Sequence, residues 1–246
     1  MKGPFRKDAQ PAPSMIVLSG LDGSGKSTQT ARLAERLRAD GVRARAVWNR
    51  WKPMVSAPLI RLAKRALSAQ DRVREADYER FREAKRREMR SRWKQNLWQF
   101  MVWSEYAWQV HWRTLLLRLA GGVVICDRYV YDTLVDVAIN FSCPPDKLAG
   151  LMSHPLFELF PKPALVVFID IDPAVGAARK ADGTPAAYLA DRRAYYASVA
   201  RILGAPIVDG GAPVDDVSGR IWELTAQWRR SITGGGARTG QRGRNA

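Results

Sequence analysis

The sequence predicts an α/β fold with three layers: a central, mainly five-stranded parallel sheet, helices on both faces and a short lid. Three observations predict it. Strand-patterned and helix-patterned stretches alternate from residue 15 to 230. Val123–Cys126 and Leu165–Ile171 are short, continuous apolar runs, the pattern of parallel strands buried on both faces. The first apolar run, Met15-Ile16-Val17-Leu18, enters a glycine-rich loop that opens a helix-patterned stretch.

The elements follow in order. Residues 15–19 read as the first strand. A helix is expected from Lys26 to Asp40, closed by Gly41 as a C′ glycine. Val42–Trp48 reads as a second strand and Pro206–Val208 as a weak last one. Further helices are expected near 54–67, 73–119, 129–140, 145–152, 173–180, 185–203 and 213–230. Residues 1–14 and 232–246 lack core-forming patterns and are expected to be disordered, leaving one domain over 15–231. The 54–119 region departs from simple alternation. Residues 61–94 hold thirteen Lys/Arg against six Asp/Glu. Trp93, Trp98, Trp103, Trp108 and Trp112 follow at steps of five, five, five and four. Steps of five rotate a helix by about 140°, so the rings cannot form one stripe. They suit a helix apolar around much of its girth, packed in the core beside the cleft or lying on another surface.

Composition narrows the function classes. At 46% hydrophobic residues the chain can bury one sizeable core. No run of 18 apolar residues appears, so a spanning helix is not expected. The N-terminal segment has no apolar signal-peptide core. Cys126 and Cys143 form no metal or disulfide pattern, and a cytoplasmic location is the simpler expectation. The formal charge of +16 attracts polyanions. An arginine-rich surface accounts for it without nucleic-acid or anionic-membrane contact, and that reading is preferred.

The chemistry begins at Gly20-Leu21-Asp22-Gly23-Ser24-Gly25-Lys26-Ser27, followed by Thr28. This is G-x-x-x-x-G-K-[ST] between a strand and a helix, the context of a phosphate-binding loop. Its glycines let the backbone wrap an anion, and successive N–H groups face the phosphates. Lys26 can reach the β/γ-phosphates, and Ser27 offers a hydroxyl to Mg²⁺. A second segment, Ile125-Cys126-Asp127-Arg128-Tyr129, ends a buried strand. Ligands of open α/β sheets bind beyond the carboxyl ends of the strands, so Asp127 and Arg128 should enter the same crevice. A carboxylate there can hold Mg²⁺ and an arginine can clamp phosphate.

Together these residues resemble the thymidylate kinase family of P-loop nucleoside-monophosphate kinases. The family loop reads G-x-D-G-[SA]-G-K-[ST]-T-Q, matched by Gly20 through Gln29. Its D-R-[YH] segment is matched by Asp127-Arg128-Tyr129, and its L-D-[VL]-x-P strand end resembles Phe168 through Pro173. The likeness spans 15–230 and implies the P-loop NTPase architecture. It also implies transfer of the ATP γ-phosphoryl group to an acceptor phosphate, with Mg²⁺ held by Ser27 and Asp127. Lys26 and Arg128 would act on the transferring group and phosphate, and Asp22 would contact the acceptor. Family members with glycine at position 23 carry extra arginines in a lid, expected here over 179–193, with Arg179, Arg192 and Arg193 as candidates. The family often forms dimers through helices beside the D-R-Y segment.

The departures lie on the acceptor side. The family arginine that helps read thymine is replaced by Tyr106, counting back from Asp127 without gaps. The segment S-S-x-A-Y-Q is replaced by Asp132-Thr133-Leu134-Val135-Asp136-Val137. R-E-P-G-G is replaced by Asn49-Arg50-Trp51-Lys52-Pro53, in which Arg50 still offers a phosphate ligand. Arg50, Tyr106 and Asp132, with Asp22 and Arg128, are the acceptor-side candidates. Asp132, Asp136 and Glu105 add negative charge there, either for acceptor hydroxyls or amines or as caps and solvent-facing groups. Three functions stay open: a kinase of dTMP or another nucleoside monophosphate, a kinase of a sugar or lipid-linked acceptor, and a nucleotide-dependent binding module.

Overall fold

The computed structural model of the chain describes residues 14–54, 56–58, 92–119, 121–180 and 182–235. In order these form β1 (Ser14–Gly20), α1 (Lys26–Ala39), β2 (Ala44–Trp48), α2 (Arg92–Leu119), β3 (Val123–Asp127) and α3 (Val130–Asn140). Then come α4 (Leu148–Met152), β4 (Leu165–Asp170), α5 (Pro173–Arg179), α6 (Ala186–Leu203), β5 (Ile207–Asp209) and α7 (Val214–Gly235). The expected helix near 54–67 and the start of the one at 73–119 lie largely outside the described residues, as does most of the basic 61–94 segment. The helix expected over 145–152 divides into a 3₁₀ turn at Pro145–Lys147 and α4, because Pro144 and Pro145 enter it. Pro155–Leu159 forms a further 3₁₀ turn that the sequence pattern did not predict. The last helix continues to Gly235, past the expected end of the domain at 231.

The five strands form one parallel sheet in the order β2-β3-β1-β4-β5. Period-two alternation splits their side chains between two cores. Ile16, Leu18, Val123, Ile125, Val167 and Ile169 face α1 and α7. Met15, Val17, Val124, Cys126 and Phe168 face the opposite layer, which includes α2, α3 and α6. This is the three-layer architecture the alternation predicts. β1 lies at the centre, with Leu18 level with Asp127 of β3 and Gly20 level with Ile169 of β4. The glycine-rich loop therefore leaves the middle of the sheet's carboxyl edge, flanked by the ends of its two neighbours.

The tryptophans of α2 divide as their spacing requires. Trp103 is buried against Phe157 and Phe160, with ring centroids 5.3 and 5.9 Å away. Trp108 and Trp112 are 52% and 61% exposed, on the same side as Leu97 and Phe100. A polar stripe on the inner side of α2 does different work. Tyr106 donates to the Asn49 carbonyl (2.8 Å), and Gln109 donates to that of Lys52 (2.6 Å). Arg113 donates to the Arg50 carbonyl (3.4 Å), and Glu105 accepts from the Met54 amide (2.5 Å) and the Ser56 hydroxyl. Residues 105, 109 and 113 recur every fourth position, so one helix face brackets the chain leaving β2. Among the described residues no helix is long and apolar enough to cross a membrane.

Candidate active site

The loop between β1 and α1 takes its shape from backbone conformations that glycine provides. Gly20 and Gly23 have φ of +135° and +81°. A Cβ on Gly20 would lie 2.2 Å from the Ile169 carbonyl oxygen, and one on Gly23 would lie 2.4 Å from that of Gly176. The loop is thus pressed against β4 on one side and α5 on the other. Gly25, also left-handed, caps α1, so the free N–H groups of the first turn point into the crevice. The Lys26 ammonium is folded onto its own loop, donating to the Leu21 carbonyl and to Ser24 Oγ (3.3 Å). Burial, aided by the nearby Arg128 charge, pulls its pKa down to about 7. Ser24 is buried within the loop, while Ser27 and Thr28 are exposed on the first turn of α1. Gln29 ties that helix to α7, donating to the Val214 carbonyl (3.0 Å) and accepting from Ser218 (2.7 Å).

Across the crevice, Ser27 Oγ donates to Asp127 Oδ2. Asp127 Oδ1 is buried and has no hydrogen-bond partner. An orphaned carboxylate oxygen beside a hydroxyl is a donor set that suits a hard divalent cation, so Ser27 and Asp127 fit Mg²⁺. Arg128 follows in the left-handed region, φ +73°, a conformation that costs a non-glycine residue about 1–3 kcal/mol. Its surroundings hold it there. Its amide donates to the Leu18 carbonyl (2.9 Å), and its guanidinium bonds Asp22 and Asp132, the latter at 3.0 Å.

Asp132 is 1% exposed and has four partners within the chain. It accepts from Ser19 Oγ (2.8 Å), the Tyr129 amide (3.0 Å), Tyr196 Oη (2.9 Å) and Arg128. It caps α3 and anchors Arg128 rather than facing the crevice, where the sequence expectation put it among the acceptor ligands. Asp22 faces Arg128 and Lys180, the latter at 3.5 Å. Burial works to raise its pKa, but Arg128, Lys26 and Lys180 overcome this and hold it well below the usual carboxylate range.

The remaining candidates separate. Tyr106 is fully buried, with its ring on Phe160 and its hydroxyl on the Asn49 carbonyl. It is a core residue that fixes the chain after β2, not a group presented to a base. Arg50, just beyond β2, pairs with Asp136 at 2.7 Å. The expected lid becomes the connection after α5 and the opening turns of α6. Arg179 donates to the Gly210 carbonyl (2.9 Å), on the loop after β5. Arg193 makes a forked pair with Asp170 at the end of β4, at 2.7 and 3.0 Å. Arg192 turns the other way and pairs with Asp136 at 3.0 Å, sharing that carboxylate with Arg50. Glu105, counted with the acceptor-side carboxylates, is consumed by the Met54 and Ser56 bonds. Lys180, within the expected lid but not among its candidates, reaches Asp22, while Tyr196 and Gln109, which hold Asp132 and Lys52 in place, are marked by no motif. Cys126 is a free core thiol whose pKa burial pushes up to about 12, as the apolar strand predicts.

The arrangement can cradle phosphates at a helix N-terminus, place a cation between Ser27 and Asp127, and bring arginines to a second anion. No curated protein matches the chain. The family model described as Thymidylate kinase matches residues 18–204, from β1 to the end of α6. That span contains the loop, the Asp127–Arg128 pair and the lid connection, so the chain belongs to the thymidylate kinase family, a family of ATP-using kinases.

Proposed function

We propose that the protein transfers the γ-phosphoryl group of ATP to the phosphate of a nucleoside monophosphate, with dTMP the first acceptor to test. The observation that carries this reading is the juxtaposition of Lys26 and Ser27 with Asp127 and Arg128 in adjacent strand register at the sheet's carboxyl edge. Such transfer needs positioning and charge neutralisation more than covalent chemistry. The loop amides and Lys26 would hold the donor β/γ-phosphates, with Lys26 swinging from its own loop onto them. Ser27 and Asp127 would hold Mg²⁺, which when bound neutralises charge on the β- and γ-oxygens. Arg128, fixed by Asp132, would meet the equatorial oxygens of the transferring group. Arg179 lies over the loop after β5, where it can cover the donor nucleotide.

A second reading has one specific observation behind it. The position of the thymine-reading arginine is filled by a tyrosine with no exposed surface, so the acceptor need not carry thymine. A sugar or lipid-linked phosphate acceptor fits the same phosphate chemistry. ATP-dependent ADP release, measured against a panel of nucleoside monophosphates and phosphorylated sugars, decides between them. Stimulation by dTMP alone supports the first reading, and stimulation by a non-nucleotide supports the second. If nothing stimulates release, a nucleotide-dependent binding module replaces both.

A further inference from the structure

Arg50, Asp136, Arg192 and Tyr188 form a connected set on the acceptor side. Arg50 Nη2 bonds Asp136 Oδ2 at 2.7 Å, and Arg192 Nη2 bonds Asp136 Oδ1 at 3.0 Å. Each carboxylate oxygen thus takes one arginine. Arg192 is fixed in turn, with its guanidinium 3.4 Å over the Tyr188 ring and Nη1 donating to the Tyr188 carbonyl (3.3 Å). The set has a closed end and an open end: the Arg192 side chain is 10% exposed and that of Arg50 is 30%. The Arg50 backbone is also held, because Arg113 bonds its carbonyl and Tyr106 that of Asn49. Arg50 also lies near enough to the loop for its charge to help hold the Asp22 carboxyl low.

We infer that Asp136 and Arg192 are positioning residues that preorganise Arg50 as a receptor for the acceptor's phosphate monoester. This deepens the proposed phosphoryl transfer and rests on it for the acceptor's role. The gain from such a lock is entropic and geometric. A free arginine side chain loses rotamer freedom when it binds an anion, whereas one already locked by a carboxylate has lost it beforehand. A guanidinium has a planar fork, so bonding Asp136 through one nitrogen leaves others to meet phosphate oxygens. Without Arg192 the carboxylate would keep one satisfied oxygen and could rotate, and Arg50 would follow it. Burial raises the Asp136 pKa, but the two arginines lower it further, so the carboxylate stays charged and the lock stays closed at neutral pH.

The test uses the full chain with the donor site filled by a non-hydrolysable ATP analogue and Mg²⁺, so that inorganic phosphate probes only the acceptor side. Calorimetry should show phosphate binding, weakened about tenfold by Asp136→Asn and by Arg192→Gln, the scale of a small misplacement of a positioned group. Arg192→Lys, which keeps the charge but loses the fork and the stack, should fall between. Analogue affinity should stay within about twofold throughout, which shows that the variants fold. If Asp136 acts through Arg50, the Arg50→Ala/Asp136→Asn double variant should bind phosphate no worse than Arg50→Ala alone. Additive losses, or phosphate binding indifferent to Asp136→Asn, would overturn the inference. Turnover separates it from the functional reading. If an acceptor is phosphorylated, its KM should rise in Asp136→Asn with kcat nearly unchanged, and a kcat loss alone sinks the positioning role. If phosphate binds as expected and no monophosphate is turned over, the functional reading fails while the receptor stands.

Discussion

The proposed donor half and acceptor half of the crevice are held in different ways. On the donor side the backbone does the holding: two left-handed glycines pressed against β4 and α5, a helix N-terminus, and Arg128 in a strained left-handed conformation. On the acceptor side the holding is done by side chains from distant segments. Arg50 after β2, Asp136 on α3 and Arg192 on α6 form one ionic set, and a polar stripe of α2 grips residues 49, 50, 52, 54 and 56. A backbone-built site tolerates little sequence change, because each glycine answers a specific conformation or contact. A side-chain-built site can exchange its members while keeping its scaffold. The difference predicts that donor-side substitutions act on the chemical step, and acceptor-side ones act on affinity for one substrate.

The largest expected effect tests the donor half. Lys26→Ala removes the buried cation that would meet the β/γ-phosphates, and kcat should fall by at least about 100-fold, the scale of losing one preorganised transition-state donor. ADP release within tenfold of wild type would break the assignment of the loop. Asp127→Asn comes next. It keeps the shape but removes the charge at the orphaned oxygen, so the Mg²⁺ concentration for half-maximal rate should rise about 10–100-fold. An unmoved Mg²⁺ profile would take Asp127 out of the metal site.

A smaller, thermodynamic signature follows from the Lys26 pKa of about 7. The unfolded pKa is near 10.5, so between these values the unfolded chain holds a proton that the folded one lacks. The Lys26 contribution to stability therefore increases as pH rises through that window. Triphosphate binding favours the charged ammonium and should restore the proton. ATP binding at pH 8 should take up close to one proton, and at pH 6 almost none. Calorimetry in buffers of different ionisation enthalpy measures this, and Lys26→Met should abolish it. Equal uptake at both pH values would show that Lys26 is not the group responsible.

How legible each half is in the sequence follows from the same contrast. The loop, the order of strands and helices, and the Asp127–Arg128 pair are local signals, readable because each depends on neighbours within a few residues. The sheet's two-sided burial was visible in runs such as Val123–Cys126. The acceptor set was not, because nothing in the sequence joins residue 50 to 136 or 136 to 192. One signal did exist. Asp132 and Asp136 stand four residues apart, so once α3 is recognised they share one of its faces. The spacing does not say that Asp132 is consumed by Ser19, Tyr129 and Tyr196 while Asp136 meets the two arginines. Apart from the Tyr129 amide, a local cap, those partners are tertiary. The arginines expected in the lid illustrate the same limit: Arg179, Arg192 and Arg193 lie close together in sequence and reach three different places.

Tyr106 gives the smallest expected effect and the sharpest test of the comparison. If the acceptor half had kept its base-reading design, the group at this position would bond the base. Removing such a bond would cost discrimination of about 10⁴-fold. The structure gives the hydroxyl another task, since it satisfies the Asn49 carbonyl within the core. Tyr106→Phe should therefore leave one buried carbonyl short of a donor and lower stability by about 1–3 kcal/mol, read as a drop in the denaturant midpoint. The Asn49–Lys52 segment keeps its Arg113 and Gln109 bonds, so the acceptor KM should rise by no more than about threefold, and that of ATP should not move. A large acceptor effect with unchanged stability would mean that the tyrosine leaves the core to read the substrate. In that case the acceptor half would be a conventional base-reading site built from a different residue, and its contrast with the donor half would disappear.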